Sequence, residues 1–135
     1  MQNKLILTVG LPRSGKSTWA QQSPHPIVSP DAVRLAMHGQ AFVKEAEELV
    51  WAMTKIMVRS LFLAGCETVI LDATNINRKR REIWKSDLWD REYVEFTTSS
   101  EECIQRARDG GREDLIPIIE GMAERQEPIE DDERD

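Results

Sequence analysis

Cysteine is scarce in this sequence, and its scarcity excludes a disulfide scaffold. The 135 residues hold only Cys66 and Cys103, with no histidine or further cysteine at metal-ligand spacing beside either. Both read as buried thiols of a reducing cytosol. Histidine is almost missing, and His25 and His38 stand alone, as surface or packing residues do. Long hydrophobic runs are absent, so no transmembrane helix and no membrane partner are expected. The N-terminus enters a strand-like run, Leu5-Ile6-Leu7-Thr8-Val9, without a signal-peptide layout, which points to the cytoplasm. With 7 Gly, 6 Pro, 40% hydrophobic and 31% charged residues, collagen-like and wholly disordered readings fall away. The length suits one domain.

An excess of positive charge is also lacking, since the formal net charge is −6. Its distribution matters more than its sign. Glu127, Glu130, Asp131, Asp132, Glu133 and Asp135 crowd the last ten residues against a single Arg134. Residues 1–125 are therefore close to neutral and read as a single domain. Residues 126–135 read as a solvated, frayed acidic tail.

Strand and helix signals alternate along the chain. Residues 4–9 read as a strand, Lys16 to Gln22 as a helix, and Ile27-Val28 as a short strand after Ser23-Pro24-His25-Pro26. Ser29 and Pro30 open a helix that ends at Gly39. Val43, Ala46, Val50, Met53, Met57 and Ala64 predict the buried stripe of a long helix ending at Gly65, with Met53 and Met57 as core filler. Thr68 to Leu71 reads as a strand, residues 78–88 as a helix capped by Asn77, and Tyr93 to Thr97 as a strand. Ser99 or Ser100 caps a helix to Arg108, and a last helix runs from Asp114 to Arg125 after Gly110-Gly111. This alternation implies an α/β three-layer sandwich with a mainly parallel sheet.

Between the first strand and helix lies Gly10-Leu11-Pro12-Arg13-Ser14-Gly15-Lys16-Ser17, a full G-x-x-x-x-G-K-[ST] pattern. Gly10 and Gly15 let the backbone curl until successive N–H groups face one anion, with Arg13, Ser14 and Thr18 around it. Lys16 adds a point charge near the β/γ-phosphates, and Ser17 offers a hydroxyl to Mg²⁺. ATP or another nucleoside triphosphate, with Mg²⁺, is the expected cofactor set.

Other candidates fall where reacting groups of a parallel sheet gather, beyond the carboxyl ends of the strands. Asp31 and Arg34 follow the second strand. They suit a base and an acceptor clamp, or a helix-start carboxylate with its i+3 partner. Asp72 ends the third strand as a second metal anchor or a turn residue, and Thr74, Asn75 and Asn77 either position an acceptor or cap a helix. Arg78-Lys79-Arg80-Arg81 opposes the dipole of the helix it opens; a bound polyanion, solvent or Glu82 would relieve it. Arg106, Arg108 and Arg112 flank Gly110-Gly111, as a mobile phosphate lid or as a surface charge mixture. Trp19, Trp51, Trp84 and Trp89 read as core or rim aromatics, with base stacking by Trp84 or Trp89 the alternative.

Together these motifs resemble the P-loop polynucleotide 5′-hydroxyl kinases. The likeness lies in Leu11-Pro12-x-Ser14-Gly15-Lys16-Ser17-Thr18-Trp19-Ala20, Asp31-x-x-Arg34, Asp72-Ala73-Thr74-Asn75-x-Asn77 and the segment Cys103 to Met122. It implies a P-loop NTPase fold of the kinase group, about four parallel strands in order 2-3-1-4, and a short arginine-bearing lid. It implies γ-phosphoryl transfer to a 5′-hydroxyl of DNA or RNA, with Asp31 as base and Arg34 on the acceptor. Lys16, Ser17 and Asp72 would hold phosphate and metal, and Asp72, Thr74, Asn75 and Arg78 would meet substrate. Catalytic charge would come from Lys16, Arg106, Arg108 and Arg112. The sequence departs where the family places a second lid arginine, since position 110 is Gly. The alternatives are a kinase for a nucleoside, sugar, nucleotide sugar or antibiotic, and a nucleotide-binding protein without catalysis.

Overall fold

A computed structural model describes residues 2–135. Four strands, β1 (Lys4–Val9), β2 (Ile27–Val28), β3 (Thr68–Leu71) and β4 (Asp90–Glu95), form one sheet in the order β2-β3-β1-β4. All three neighbouring pairs are parallel, so every connection crosses over the sheet. The crossovers carry α1 (Lys16–Gln22), α2 (Pro30–His38), α3 (Glu47–Leu63) and α4 (Arg78–Glu82). Two further helices, α5 (Ser100–Asp109) and α6 (Ile116–Arg125), follow β4. The expected fold and strand order are those observed. Among the described residues no helix is long and apolar enough to cross a membrane.

The central strands explain the core. Leu5, Leu7, Val69 and Leu71 are fully buried and pack with Val28, Val58, Trp84 and Trp89. A smaller cluster of Leu11, Cys103, Ala107 and Ile119 fastens the α5–α6 unit to the turn after β1. Thr8, buried inside β1, stitches the carboxyl ends together. Its hydroxyl donates to the Ala73 carbonyl at 2.8 Å and accepts from the Ala73 N–H at 3.1 Å.

Several local expectations give way to tertiary packing. On α3 the buried face is Val50, Thr54 and Val58, spaced by four; Met53 and Met57 are 39% and 42% exposed rather than core. The helix expected over 78–88 stops at Glu82. Trp84 and Trp89 both enter the core, and five residues of helix would turn them about 140° apart. The chain instead turns at Ser86, whose Oγ accepts from the Leu88 N–H, and Trp89 Nε1 donates to the Trp84 carbonyl. β4 begins at Asp90, earlier than expected, because β1 offers six partners from Lys4 to Val9. Pro117 sets the start of α6 at Ile116, after a 3-10 turn at Glu113–Leu115.

The acidic tail is not frayed. A 3-10 turn at Asp131–Glu133 inserts Glu133 beside Arg81, at 2.7 Å, with both side chains fully buried. Asp135 accepts from the Arg91 backbone N–H at 2.7 Å and from its guanidinium at 3.0 Å, and Asp132 takes Arg78 at 2.6 Å. A buried guanidinium demands a carboxylate, so at Arg78 and Arg81 the cationic start of α4 is relieved by the chain's own tail.

Candidate active site

The turn from β1 into α1 forms the floor of the site. Gly15 (φ 103) and Arg13 (φ 68) both take left-handed backbone, a cost of about 1 kcal/mol for Arg13 that glycine escapes. No side chain caps α1, which leaves its first N–H groups open to an anion. Gly10 has no room for a Cβ, which would meet Phe96 Cβ at 2.9 Å. Ser14 is buried, and its carbonyl accepts from Thr98 Oγ1 at 3.1 Å. Arg13, Gly15, Lys16, Ser17, Thr18 and Arg106 line an open cavity of about 420 Å³.

Lys16 is largely buried, and its Nζ folds back onto the Leu11 carbonyl at 2.6 Å. Burial pulls its pKa below the ordinary lysine value, against the charges of Asp72 and Asp31. Of these two carboxylates, one also touches the loop itself. Asp72 meets it directly, accepting from the Ser17 hydroxyl at 2.7 Å. This hydroxyl and carboxylate are the hard oxygen donors that fit Mg²⁺, which takes one or two protein oxygens and completes its shell with water and phosphate. Among the described residues no group of three or more His, Cys, Asp or Glu side chains forms a metal cluster.

Thr74 and Asn75 hold the loop after β3 in place. The Gly10 N–H donates to the Thr74 carbonyl at 3.0 Å, and Asn75 Nδ2 donates to the Thr8 carbonyl at 2.9 Å. Asn75 is buried, and its side chain bonds to β1 while its backbone carbonyl accepts from Arg81 at 3.0 Å. Asn77 caps α4, accepting from the Arg80 N–H at 2.9 Å.

Asp31 sits in the first turn of α2, which Ser29 caps from Oγ. Its side chain is 85% exposed and takes one bond, from Arg34 at 2.7 Å. The rest of Arg34 is gripped by Glu47 in a bidentate pair at 2.7 and 2.8 Å. Hydrogen bonding to Glu47 raises the Arg34 pKa against the effect of burial, and the same bond holds Glu47 below the usual carboxylate range. Two guanidiniums share the Trp51 indole: Arg80 Cζ lies 4.3 Å and Arg34 Cζ 5.8 Å from the ring centroid. Glu47 and Trp51 escaped the sequence reading as site residues, and Arg80 was read only as one of the four cations at 78–81. The signal was faint, since Glu47 is 13 positions from its partner.

The arginines flanking Gly110-Gly111 differ. Arg106 lines the cavity, donating to the Arg13 carbonyl and to Glu102, each at 3.1 Å. Arg112 forms a bidentate pair with Asp114, and Arg108 is exposed away from the cavity lining. Arg78 is engaged by Asp132.

Comparison with known proteins matches residues 5–118 to the AAA domain family. A chain in a structure of the Pnkp1/Rnl/Hen1 complex superposes with a TM-score of 0.71 at 28% identity, over 78% of this chain. One from the Pnkp1/Rnl/Hen1 RNA repair complex gives 0.70 at 19% identity over 93%. This chain spans 39% and 47% of those two. A gluconokinase from Sinorhizobium meliloti 1021 shares the fold, with a TM-score of 0.62 and 20% identity over 93% of this chain and 75% of its own. A phosphate loop closed on a strand-end aspartate, in a parallel 2-3-1-4 sheet, is thus found where the family model matches, and the chain belongs to the AAA domain family as a P-loop kinase-like domain.

Proposed function

We propose that this chain transfers the γ-phosphoryl group of ATP to the 5′-hydroxyl of a DNA or RNA strand. The observation that carries the acceptor is the Asp31–Arg34–Trp51–Arg80 group. An exposed carboxylate stands beside a guanidinium fixed by Glu47. A second, half-buried guanidinium stacks on the same indole with no side-chain hydrogen bond or ion pair among the described residues. A polyanionic acceptor satisfies Arg80, and a neutral sugar does not. The 28% identity to a chain of the Pnkp1/Rnl/Hen1 complex supports the same reading.

In the proposed reaction Asp31 accepts the hydroxyl proton as the acceptor oxygen bonds to the γ-phosphorus. The bond from that phosphorus to the β,γ-bridging oxygen breaks, and ADP leaves. Lys16 and Arg106 bind the phosphate oxygens, and Arg34 orients the acceptor. Ser17 and Asp72 would hold Mg²⁺, which offsets charge between the β- and γ-phosphates when bound. Gly10, Ser14, Gly15 and Thr18 shape the cradle. Of the four cations at 78–81, Arg80 takes the acceptor-phosphate role, because Asp132 and Glu133 already occupy Arg78 and Arg81.

The test is transfer of labelled γ-phosphate to 5′-hydroxyl oligonucleotides, nucleosides and sugars, with Lys16→Ala as blank. Oligonucleotides should be labelled, and Asp31→Asn should slow transfer at least about a hundredfold while ATP still binds. Full activity in Asp31→Asn would remove it as the base. Labelling confined to nucleosides or sugars would overturn the acceptor class.

A further inference from the structure

Arg13 and Gly110 occupy each other's natural places. The backbone at Arg13 has φ 68, where a glycine is free and an arginine is strained. The backbone at Gly110 has φ −89 and ψ 5, which any residue adopts. What distinguishes Gly110 is therefore its surroundings rather than its backbone. A Cβ there would lie 3.0 and 3.1 Å from the two terminal nitrogens of Arg13, and 3.3 Å from the Arg106 carbonyl. The Arg13 guanidinium, which comes from the phosphate loop, thus packs directly against the backbone of Gly110.

Three further observations direct that guanidinium toward the phosphates. Arg13 lines the cavity with Lys16 and Ser17. Its guanidinium makes no hydrogen bond or ion pair among the described residues, whereas Arg106 is paired with Glu102 and Arg112 with Asp114. Arg106 donates to the Arg13 carbonyl, which ties the α5 helix to the loop at this residue.

We infer that Arg13 is the catalytic arginine for the transferred phosphoryl group, reaching it from the phosphate loop. The inference rests on the phosphotransfer reading above. As the bond to the β,γ-bridging oxygen breaks and the bond to the acceptor oxygen forms, charge grows on the bridging oxygen and spreads over the transferred group. Arg13 donates hydrogen bonds to those oxygens and moves no proton. Arg106 braces it, and Arg108 and Arg112 lie outside the cavity.

Moving the arginine tests this. Arg13→Gly removes the strain, so its Tm should equal or exceed that of the parent protein, while kcat falls about a hundredfold and KM for ATP changes far less. Adding Gly110→Arg to that variant should restore at least tenfold of the lost kcat, because the deleted guanidinium vacates the space. Gly110→Arg in the parent background should lower kcat by crowding Arg13. A parent-like kcat in Arg13→Gly would overturn the inference, as would a loss that Gly110→Arg does not relieve. The phosphotransfer reading fails separately, if the unmodified chain shows no transfer that Lys16→Ala abolishes. Binding of ADP with aluminium fluoride then decides the Arg13 question. Arg13→Gly should weaken it about tenfold or more relative to ADP alone, and equal weakening of both would overturn the inference.

Discussion

Arg80 and Arg81 are adjacent in sequence and have opposite fates. Arg81 is fully covered, donating to Glu133 and to the backbone carbonyls of Asn75 and Pro128. Arg91 beside it is equally enclosed by Asp135 and the Glu133 carbonyl. Arg80 points the other way, onto Trp51, with no side-chain hydrogen bond or ion pair among the described residues. The same contrast separates the sealed end of the sheet near β4 from its open mouth, where the Arg13 side chain also lacks a hydrogen-bond or ion-pair partner among the described residues. A cation whose N–H groups are all met inside the protein holds the fold together. One left short of acceptors at a cavity is available to a ligand. The composition of the 78–81 run does not distinguish them.

The contrast breaks most visibly at Glu133. Glu133→Ala leaves the Arg81 charge buried and unpaired, and should cost about 3–5 kcal/mol, measured by denaturant unfolding. If the loss is under about 1 kcal/mol, the tail is not an integral part of the fold. Arg80→Ala should act in the opposite sense, changing function and sparing stability. KM for an oligonucleotide should rise about tenfold, and the salt dependence of binding should flatten by about one charge, with Tm nearly unchanged. A fall in Tm without a change in KM would make Arg80 a packing residue.

Acid should sharpen the comparison further, with a smaller effect. Burial pushes the Glu133 pKa up, but hydrogen bonds from Arg81 and the Glu130 N–H, together with the Arg81 and Arg78 charges, outweigh it and hold it low. The Arg91 hydrogen bond likewise depresses Asp135. Depressed carboxylates stabilise the fold above their unfolded pKa, about 4, and that contribution is lost as pH falls through the folded values. Stability of the parent protein should therefore decline below about pH 4, and less steeply in Asp135→Asn. Parallel pH profiles for the two would show that the Arg91–Asp135 contact does not persist in solution.

Much of the site was legible because its spacing is local. Gly10 to Ser17 must curl around an anion whatever surrounds it, and Asp72 at the end of a buried run had few places to go but the sheet mouth beside Ser17. Asp31 and Arg34 read correctly as neighbours, being i and i+3 on one helix. Contacts between distant segments were not legible. The grip of Glu47 on Arg34, the shared Trp51 ring and the approach of Arg13 to Gly110 each join different elements. The stripe of α3 was misread for a related reason. Several apolar faces were available on that helix, and packing against the sheet chose Val50, Thr54 and Val58 over the methionines.

The scarcity of cysteine and histidine, the strand–helix alternation and the phosphate loop were determined by sequence alone, because each is read from composition or from residues within a few positions of one another. Tertiary structure decided the role of charge. The ten acidic-rich residues looked like solvated excess, yet three of their carboxylates close over Arg78, Arg81 and Arg91. Charge in a sequence has sign and position, but its free energy depends on burial and on the partner it meets across space. Only the folded chain fixes both.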